Sequence, residues 1–506
     1  MRILLVHPSP LMYSEIYLRL EPLGLERVGA ALRDAGHEVR ILDLQLFSHR
    51  DFIAMLENFK PRALGFSLNY LANTPEVIDL ASRARQIQGR EVFIFLGGHS
   101  ASFVADQLLE HGDGAIDCVV RGEGEAITPR LIEAIGDPHL HRLPGIVTRD
   151  GSGGPPMLMN NLDSHFPARD LTARRNKYFI SVFDPCASAE FSRGCPWDCS
   201  FCSAWTFYGR SYRQSSPEAV ADDLASINEP NVFIVDDVAF IHPEQAFAIG
   251  RELERRKIRK RYYLETRADV LLRNRDVFEY WHRLGLELMF LGLEAIDDAG
   301  LKLYRKRSSL SFNFKALEVA KEIGLVVAIN LIADPDWDEQ RFAIVREWAL
   351  SIDHVVHLTV STPYPGTETW LTESRQLTTL DYRLFDIQHA VLPTRLPLMK
   401  FYQELLKTQN VLNRKHLGFR GLYQVGAEAT RLLMRGQTNF IKMLWKFNQV
   451  YNSDRQYGDH FRPVKYALKP PAIHLTSRAK AEQLYIHNPR EGHSAASQPA
   501  PRTSDL

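Results

Sequence analysis

Cysteine is scarce in this chain, five in 506 residues, and three of the five lie between positions 195 and 202. So few thiols cannot staple a secreted disulfide scaffold, and they suit a reducing cytoplasm. Net charge is missing as well: Lys+Arg and Asp+Glu both count 61, so no global field draws the chain to nucleic acid. No apolar run approaches the length that spans a bilayer. The opening MRILLVHPSP carries only four apolar residues, 3–6, before His7, too few for a signal peptide. A cytoplasmic protein is expected. Hydrophobic content of 45% and charged content of 24% are ordinary for a globular protein, and 506 residues suffice for two or three domains.

What is present centres on residues 190–212, EFSRGCPWDCSFCSAWTFYGRSY. Cys195, Cys199 and Cys202 are spaced C-x3-C-x2-C, with Phe201 directly before the last. Thiolates are the preferred protein ligands of iron–sulfur clusters. Three on one loop can hold three irons of a [4Fe–4S] cube and leave the fourth open for chemistry. The alternative is a structural zinc site with Cys186 as fourth ligand. Such sites usually combine two close cysteine pairs, and no second pair exists here. Cys186 reads more readily as a packing cysteine.

Residues 1–150 alternate short apolar runs (3–6, 39–42, 63–68, 92–96, 116–120) with amphipathic stretches (24–35, 52–59, 76–86, 101–110, 125–135). That rhythm predicts a doubly wound parallel sheet of Rossmann type, with ligands beyond the carboxyl ends of its strands. Two segments there are glycine-rich, GGHSAS (97–102) and RGEGE (121–125). Residues 151–186 form a connector, and GSGGPP (151–156) has linker composition. From residue 187 a second rhythm carries the cysteine loop after its first strand, with further strands at 232–235, 262–265, 288–293, 326–331 and 355–360. Six strands with intervening helices predict a partial (β/α)6 barrel over 187–375, an α/β fold whose chemistry gathers at the strands' carboxyl ends.

The cysteine spacing with its aromatic resembles the signature of the radical S-adenosylmethionine (SAM) superfamily. The strand tails VDD, ETRAD, LGLEA and TPYPGTE are similar to that superfamily's segments. The fifth tail, IADPDWDEQ (332–340), lacks the usual glycines, which puts SAM contacts from that turn in doubt. The first domain resembles the cobalamin-binding module that precedes many such barrels. D-x-H-x-x-G, whose histidine ligates cobalt from below, is absent, and Asp163-Ser164-His165 lacks the glycine. His7 and His99 read as loop residues rather than axial ligands.

These resemblances imply three cofactors: a [4Fe–4S] cluster on Cys195, Cys199 and Cys202; SAM near Asp236, Arg267 and Glu294; and cobalamin. Corrin contacts would come from Ser67, Asn69, Gly97, Gly98, His99, Gly122, Glu123 and Gly124. An electron donor of flavodoxin or ferredoxin type is implied too.

Residues 7–26, 65–73 and 192–213 resemble the hopanoid C-3 methylase family. Its members methylate a ring carbon of a bacterial lipid through a 5′-deoxyadenosyl radical and methylcobalamin. Alternatives are a tetrapyrrole cyclase, a natural-product methylase, or a non-catalytic cobalamin- or metal-responsive binding protein. The intact triad and four strand tails favour an enzyme, and the lack of a second triad disfavours a methylthiotransferase.

Residues 376–485 leave the β/α rhythm, with helices expected at 398–413, 421–434 and 439–451. Between 401 and 450 eight Lys/Arg stand against two Asp/Glu, so peripheral contact with an anionic membrane competes with simple packing on the barrel. The tail 486–506 is expected to be disordered.

Overall fold

The computed structural model describes residues 1–13, 15–415 and 419–471. The expected disordered tail lies outside them. The first sheet holds β1 (Arg2–His7), β2 (Glu38–Asp43), β3 (Ala63–Ser67), β4 (Phe93–Gly97), β5 (Cys118–Val120), β6 (Ile146–Thr148) and β7 (Gly151–Ser152). Its order is β2-β1-β3-β4-β5-β6-β7, the first five parallel and the last two antiparallel. The apolar runs RILLVH and ALGFS suit strands covered on both faces. In the order 2-1-3-4-5 the switch point falls between β1 and β3, where a ligand crevice opens beyond the strand ends.

One expectation needs correction here. Gly151 and Ser152, assigned by composition to a linker, pair with Thr148 and Val147 and extend the sheet. Gly151 makes the hairpin possible, because its φ of 152° lies where side chains are rarely tolerated.

The second sheet is parallel throughout and runs in chain order: β8 (Cys186–Ala189), β9 (Asn231–Ile234), β10 (Arg261–Thr266), β11 (Leu286–Glu294), β12 (Val326–Ala333) and β13 (Val355–Val360). This is the expected six-stranded open barrel. Alternation along β10 sends Tyr262 and Leu264 to the helical layer, where both are fully buried with Trp281 and Phe278. Tyr263 faces the barrel interior and stacks on Phe233 at 4.8 Å, closing its lower end with Phe183 and Cys186.

Helices Leu398–Arg414, Phe419–Met434 and Asn439–Val450 follow, close to expectation, and a further one, Ser453–Asp459, was not foreseen. The first packs Phe401, Tyr402 and Leu405 into the barrel core. Beyond the barrel the chain also returns to the first domain. Tyr382, Leu384, Phe385, Val391 and Leu468 enter the same apolar core as Phe52, Leu56, Val77 and Leu108, beside Trp205 and Trp370. The return is pinned by Tyr382 Oη donating to Gln107 (2.8 Å), His111 Nε2 meeting the Ala467 carbonyl (3.0 Å) and Lys465 pairing with Asp79 (2.6 Å).

Candidate active site

The cysteine loop leaves β8 and is closed at its base by a two-residue ladder of Ser192–Arg193 with Arg213–Gln214. The Asp236 carboxylate, at the β9 tail, accepts from the backbone N–H groups of Phe191 (2.7 Å) and Ser192 (3.1 Å) and from the Ser192 hydroxyl. Asp237 accepts from the Gly194 N–H at 2.9 Å. Gly194 has φ 97°, and a Cβ there would sit 2.1 Å from the Ser211 carbonyl, so the loop can turn only at glycine. Within the loop, Trp205 Nε1 donates to the Cys199 carbonyl at 2.9 Å.

Two of the three thiols are raised, chiefly by burial. Burial lifts Cys202 to about 12 with help from Cys199, and Cys195 rises by burial and by both neighbours. Arg267 lies against them, Nη1 3.9 Å from Cys199 Sγ and its guanidinium 4.3 Å over the Trp197 ring. Buried thiols that resist ionisation alone, with a fixed cation beside them, fit a metal cluster that takes them as thiolates. Among the described residues no three His, Cys, Asp or Glu side chains close on a single ion, so the fit rests on these thiols and their neighbours. Cys186 sits at the start of β8 among Phe183, Phe233 and Tyr263, as a packing cysteine.

Arg267, expected to face SAM, is already engaged: Nε with Asp269 (2.8 Å), Nη2 with the Lys306 carbonyl (2.8 Å). Asp236 likewise serves the loop. Glu294 is different. It ends β11 in a left-handed conformation (φ 67°) and meets Lys306 Nζ at 2.9 Å, both side chains buried. Beside it opens a cavity of about 440 Å³ lined by Ala295, Tyr304, Ile332, Asp334, Trp337 and others. Phe201 packs on the Tyr304 ring at this wall. The glycine-poor fifth tail thus contributes Asp334 and Trp337 to the cavity after all. Glu265, on the inner side of β10, is pushed to about 7 by burial and by Asp237 and Glu294.

Facing this mouth are the strand ends of the first sheet. A crevice of about 210 Å³ at the β1/β3 switch point is lined by His7, Ser9, Ser67, Asn69 and Tyr70, with Ser188 and Val235 of the barrel opposite. Asn69 Oδ1 accepts from the His99 N–H at 3.2 Å, and Gly98 (φ 109°) lets that turn close on Leu68 and Asn69. His99 then reaches across: Nε2 lies 2.7 Å from Ser203 Oγ, next to Cys202, and the ring stacks on Phe207 at 4.6 Å. Burial lowers it to about 4, so the bridge is made by a neutral ring.

The RGEGE turn lies elsewhere. Gly122 abuts Pro156 and Gly124 abuts Val28. Glu123 is buried against Arg213 (2.8 Å) and Arg193 (3.1 Å), which hold it below the usual carboxylate range despite its burial. Its carboxylate joins the two domains instead of lying in the crevice. The crevice fits cobalamin by its place at the switch point, where Ser67 and Asn69 line it; Gly98 serves the turn against Leu68 and Asn69.

Sequence reasoning missed Lys306 and Tyr304, and it placed Glu265 at a strand tail without giving it a role of its own. The inward parity of Glu265 along ETRAD was a usable signal, whereas Lys306 is hidden in the cationic run YRKR.

Two protein families match parts of the chain. Residues 11–132 match the B12 binding domain, and residues 189–349 match the radical SAM superfamily. The structure is similar to TsrM, a radical SAM methyltransferase of Kitasatospora setae (TM-score 0.58, 18% identity, 75% of this chain and 77% of that one). It is also similar to the cobalamin-dependent radical SAM enzyme OxsB with aqua-cobalamin and SAM bound (TM-score 0.57, 20% identity, 67% and 50%). These two likenesses concern the fold. An anaerobic magnesium-protoporphyrin IX monomethyl ester cyclase of Synechocystis is 26% identical over 87% of this chain and 93% of its own. The hopanoid C-3 methylase of Methylococcus capsulatus is 58% identical over 96% of this chain and 95% of its own. With a cobalamin-binding domain ahead of a radical SAM domain and that identity along nearly its whole length, the chain belongs to the hopanoid C-3 methylase family of radical SAM methyltransferases.

Proposed function

We propose that this chain methylates the C-3 ring carbon of a hopanoid. The observation that carries the reading is the 58% identity to a hopanoid C-3 methylase over 96% of the chain. When bound, the [4Fe–4S] cluster supplies the electron that cleaves SAM to a 5′-deoxyadenosyl radical, and cobalamin supplies the methyl group.

The chain's own residues hold and screen these groups. Cys195, Cys199 and Cys202 are the cluster ligands, with Arg267 as the fixed cation beside them. Glu294 would take the amino group of SAM and Lys306 its carboxylate, from a pair that stands at 2.9 Å. Phe201, Tyr304 and Ile332 take the adenosyl group. Ser67 and Asn69 would edge the corrin, with the Gly97–His99 turn behind Asn69. Hydrogen abstraction needs no general acid or base, so the residues' task is alignment and exclusion of water.

A hopanoid is almost wholly hydrocarbon and lies in a bilayer, while no helix among the described residues is long and apolar enough to cross one. Access is therefore from the membrane surface. Helices Phe419–Met434 and Asn439–Val450 present Met434 (84% exposed), Trp445 (66%), Leu433 and Ile441 beside Arg431, Arg435, Lys442 and Lys446. Such a face suits an anionic lipid surface. Met443, Val450 and Tyr451, in the same segment, pack on Met12, Tyr13 and Ile16 of the loop after β1, which supports a lipid contact near the first sheet's strand ends.

The test is expression in a hopanoid-making host that lacks a homologue, with the lipids read by mass spectrometry. Ring-methylated hopanoids are expected. Unchanged hopanoids from cells whose enzyme holds cluster and cobalamin would refute the substrate.

A further inference from the structure

Three arginines converge on one carboxylate of the cysteine loop. Asp198, directly before Cys199 and almost buried, meets Arg307 at 2.7 Å, Arg305 at 3.5 Å and Arg210 at 4.0 Å. All three arginines stand at left-handed φ (53°, 55° and 60°), a region disfavoured for residues with a Cβ. Arg305 also meets Glu368, and Arg210 Nε donates to the Pro196 carbonyl at 3.1 Å. Beside them the helix Asp298–Leu303 ends in Lys302, which is exposed and has no ion-pair partner among the described residues, and in Leu303, 62% exposed. Leu303 touches the loop through its backbone, its carbonyl accepting from Ser200 Oγ at 3.3 Å. Asp298, at the far end of that helix, faces the Leu310 N–H.

We propose that this patch is where a small acidic one-electron carrier protein docks to deliver its electron to the cluster. Four cations (Lys302, Arg210, Arg305, Arg307) stand against three carboxylates (Asp198, Glu368 and, one turn back from Lys302, Asp298), a local excess of one in a chain whose formal net charge is zero. Steering therefore comes from this patch and not from the molecule as a whole. An exposed leucine ringed by charge fits a small, transient redox interface, of the kind that buries less than about 1,200 Å². The Leu303 carbonyl meets Ser200, the residue after Cys199 in the cysteine loop. In the step one electron leaves the carrier and enters the cluster, and no bond or proton moves.

The proposal rests on the radical SAM chemistry and not on the hopanoid substrate, so no lipid is needed to test it. Reconstituted holoenzyme would be titrated with oxidised flavodoxin as probe, at low and high salt, as wild type, Lys302→Gln and Lys302→Glu. The same proteins would then be reduced with flavodoxin hydroquinone or with dithionite, following the cluster's visible absorption. Association should weaken stepwise, by about tenfold at low salt for Lys302→Glu, which turns the excess of one into a deficit of one. Salt dependence should flatten in parallel, and flavodoxin-driven reduction should slow by a similar factor while dithionite-driven reduction is unchanged. Wild-type affinity and rate in Lys302→Glu would overturn the proposal. So would equal slowing with both reductants, or loss of self-association in Lys302→Glu with donor affinity intact, which would assign the patch to a second copy.

Discussion

Arg193→Met tests whether the buried charges joining the two domains act as a unit. The Arg193 guanidinium, 7% exposed, meets Glu190 at 2.8 Å, Glu123 at 3.1 Å and Glu125 at 2.6 Å. Arg213 also holds Glu123, and Arg27 also holds Glu190 (3.2 Å), so three arginines balance three carboxylates. Methionine keeps much of the volume but leaves two arginines for three buried carboxylates, and Glu125 loses its only ion pair among the described residues. Breaking a buried pair from one side costs about 3–5 kcal/mol. For domains of this size that is roughly 6–20 °C in melting temperature.

The pH dependence sharpens the test. Burial alone would raise Glu123 and Glu190, yet their arginines hold both below the ordinary carboxylate range. A depressed carboxylate stabilises the fold above its unfolded value, and that stability is lost as pH falls through the folded value. The wild-type advantage over Arg193→Met should therefore be largest at neutral and higher pH and shrink towards pH 4. Adding Glu125→Gln should restore part of the loss. Melts would be followed by fluorescence and by cluster absorption separately, since a two-domain chain need not unfold in one step. A variant melting within about 2 °C of its parent at pH 7, or a loss independent of pH, would refute the reasoning.

Cys195→Ala, Cys199→Ala and Cys202→Ala should each abolish the visible absorption of the reconstituted cluster, while Cys186→Ala keeps it and costs only packing; equal loss in Cys186→Ala would revive the zinc alternative. Burial alone would lower His389, but Asp386 and Asp459 flank it and lift it to about 9. Being raised, it contributes stability that is full below about pH 6.5 and is lost as pH rises through 9, at most about 3 kcal/mol, visible as faster hydrogen exchange over 385–391 at pH 9.5 than at pH 6.5 after correction for intrinsic rates. Liposome co-sedimentation should rise with anionic lipid and fall when Arg435 and Lys442 become Gln, by about 1 kcal/mol per charge; binding indifferent to lipid charge would remove the basic face from the account.

The cysteine triad was legible because a cluster ligand set is local: three thiols, one loop, fixed spacing. Both sheets were legible because parallel strands buried on two faces write themselves as apolar runs. What long-range pairing decides was hidden. Nothing in RGEGE tells that Glu123 will be claimed by Arg193 and Arg213, seventy and ninety positions later. Likewise Arg267 has the right chemistry for a carboxylate ligand, but Asp269 and the Lys306 carbonyl reach it first. The β6–β7 hairpin was masked because glycines that permit a tight reversal have the same composition as glycines in a linker.

The return of residues 382–391 and 468 to the first domain has a consequence for the order of manufacture. The apolar face formed by Phe52, Leu56, Val77 and Leu108 is complete in the nascent chain once β6 has emerged, yet the side chains that cover it are still to be made. At about 5–20 residues per second, Leu468 follows Thr148 by roughly 15–60 s. Throughout that interval the first domain lacks the Tyr382, Leu384, Phe385, Val391 and Leu468 side chains that complete its core. Cells making this enzyme fast should therefore lean on their chaperones for its first third, and shortening the chain before Tyr466 should hurt the solubility of the beginning more than that of the end.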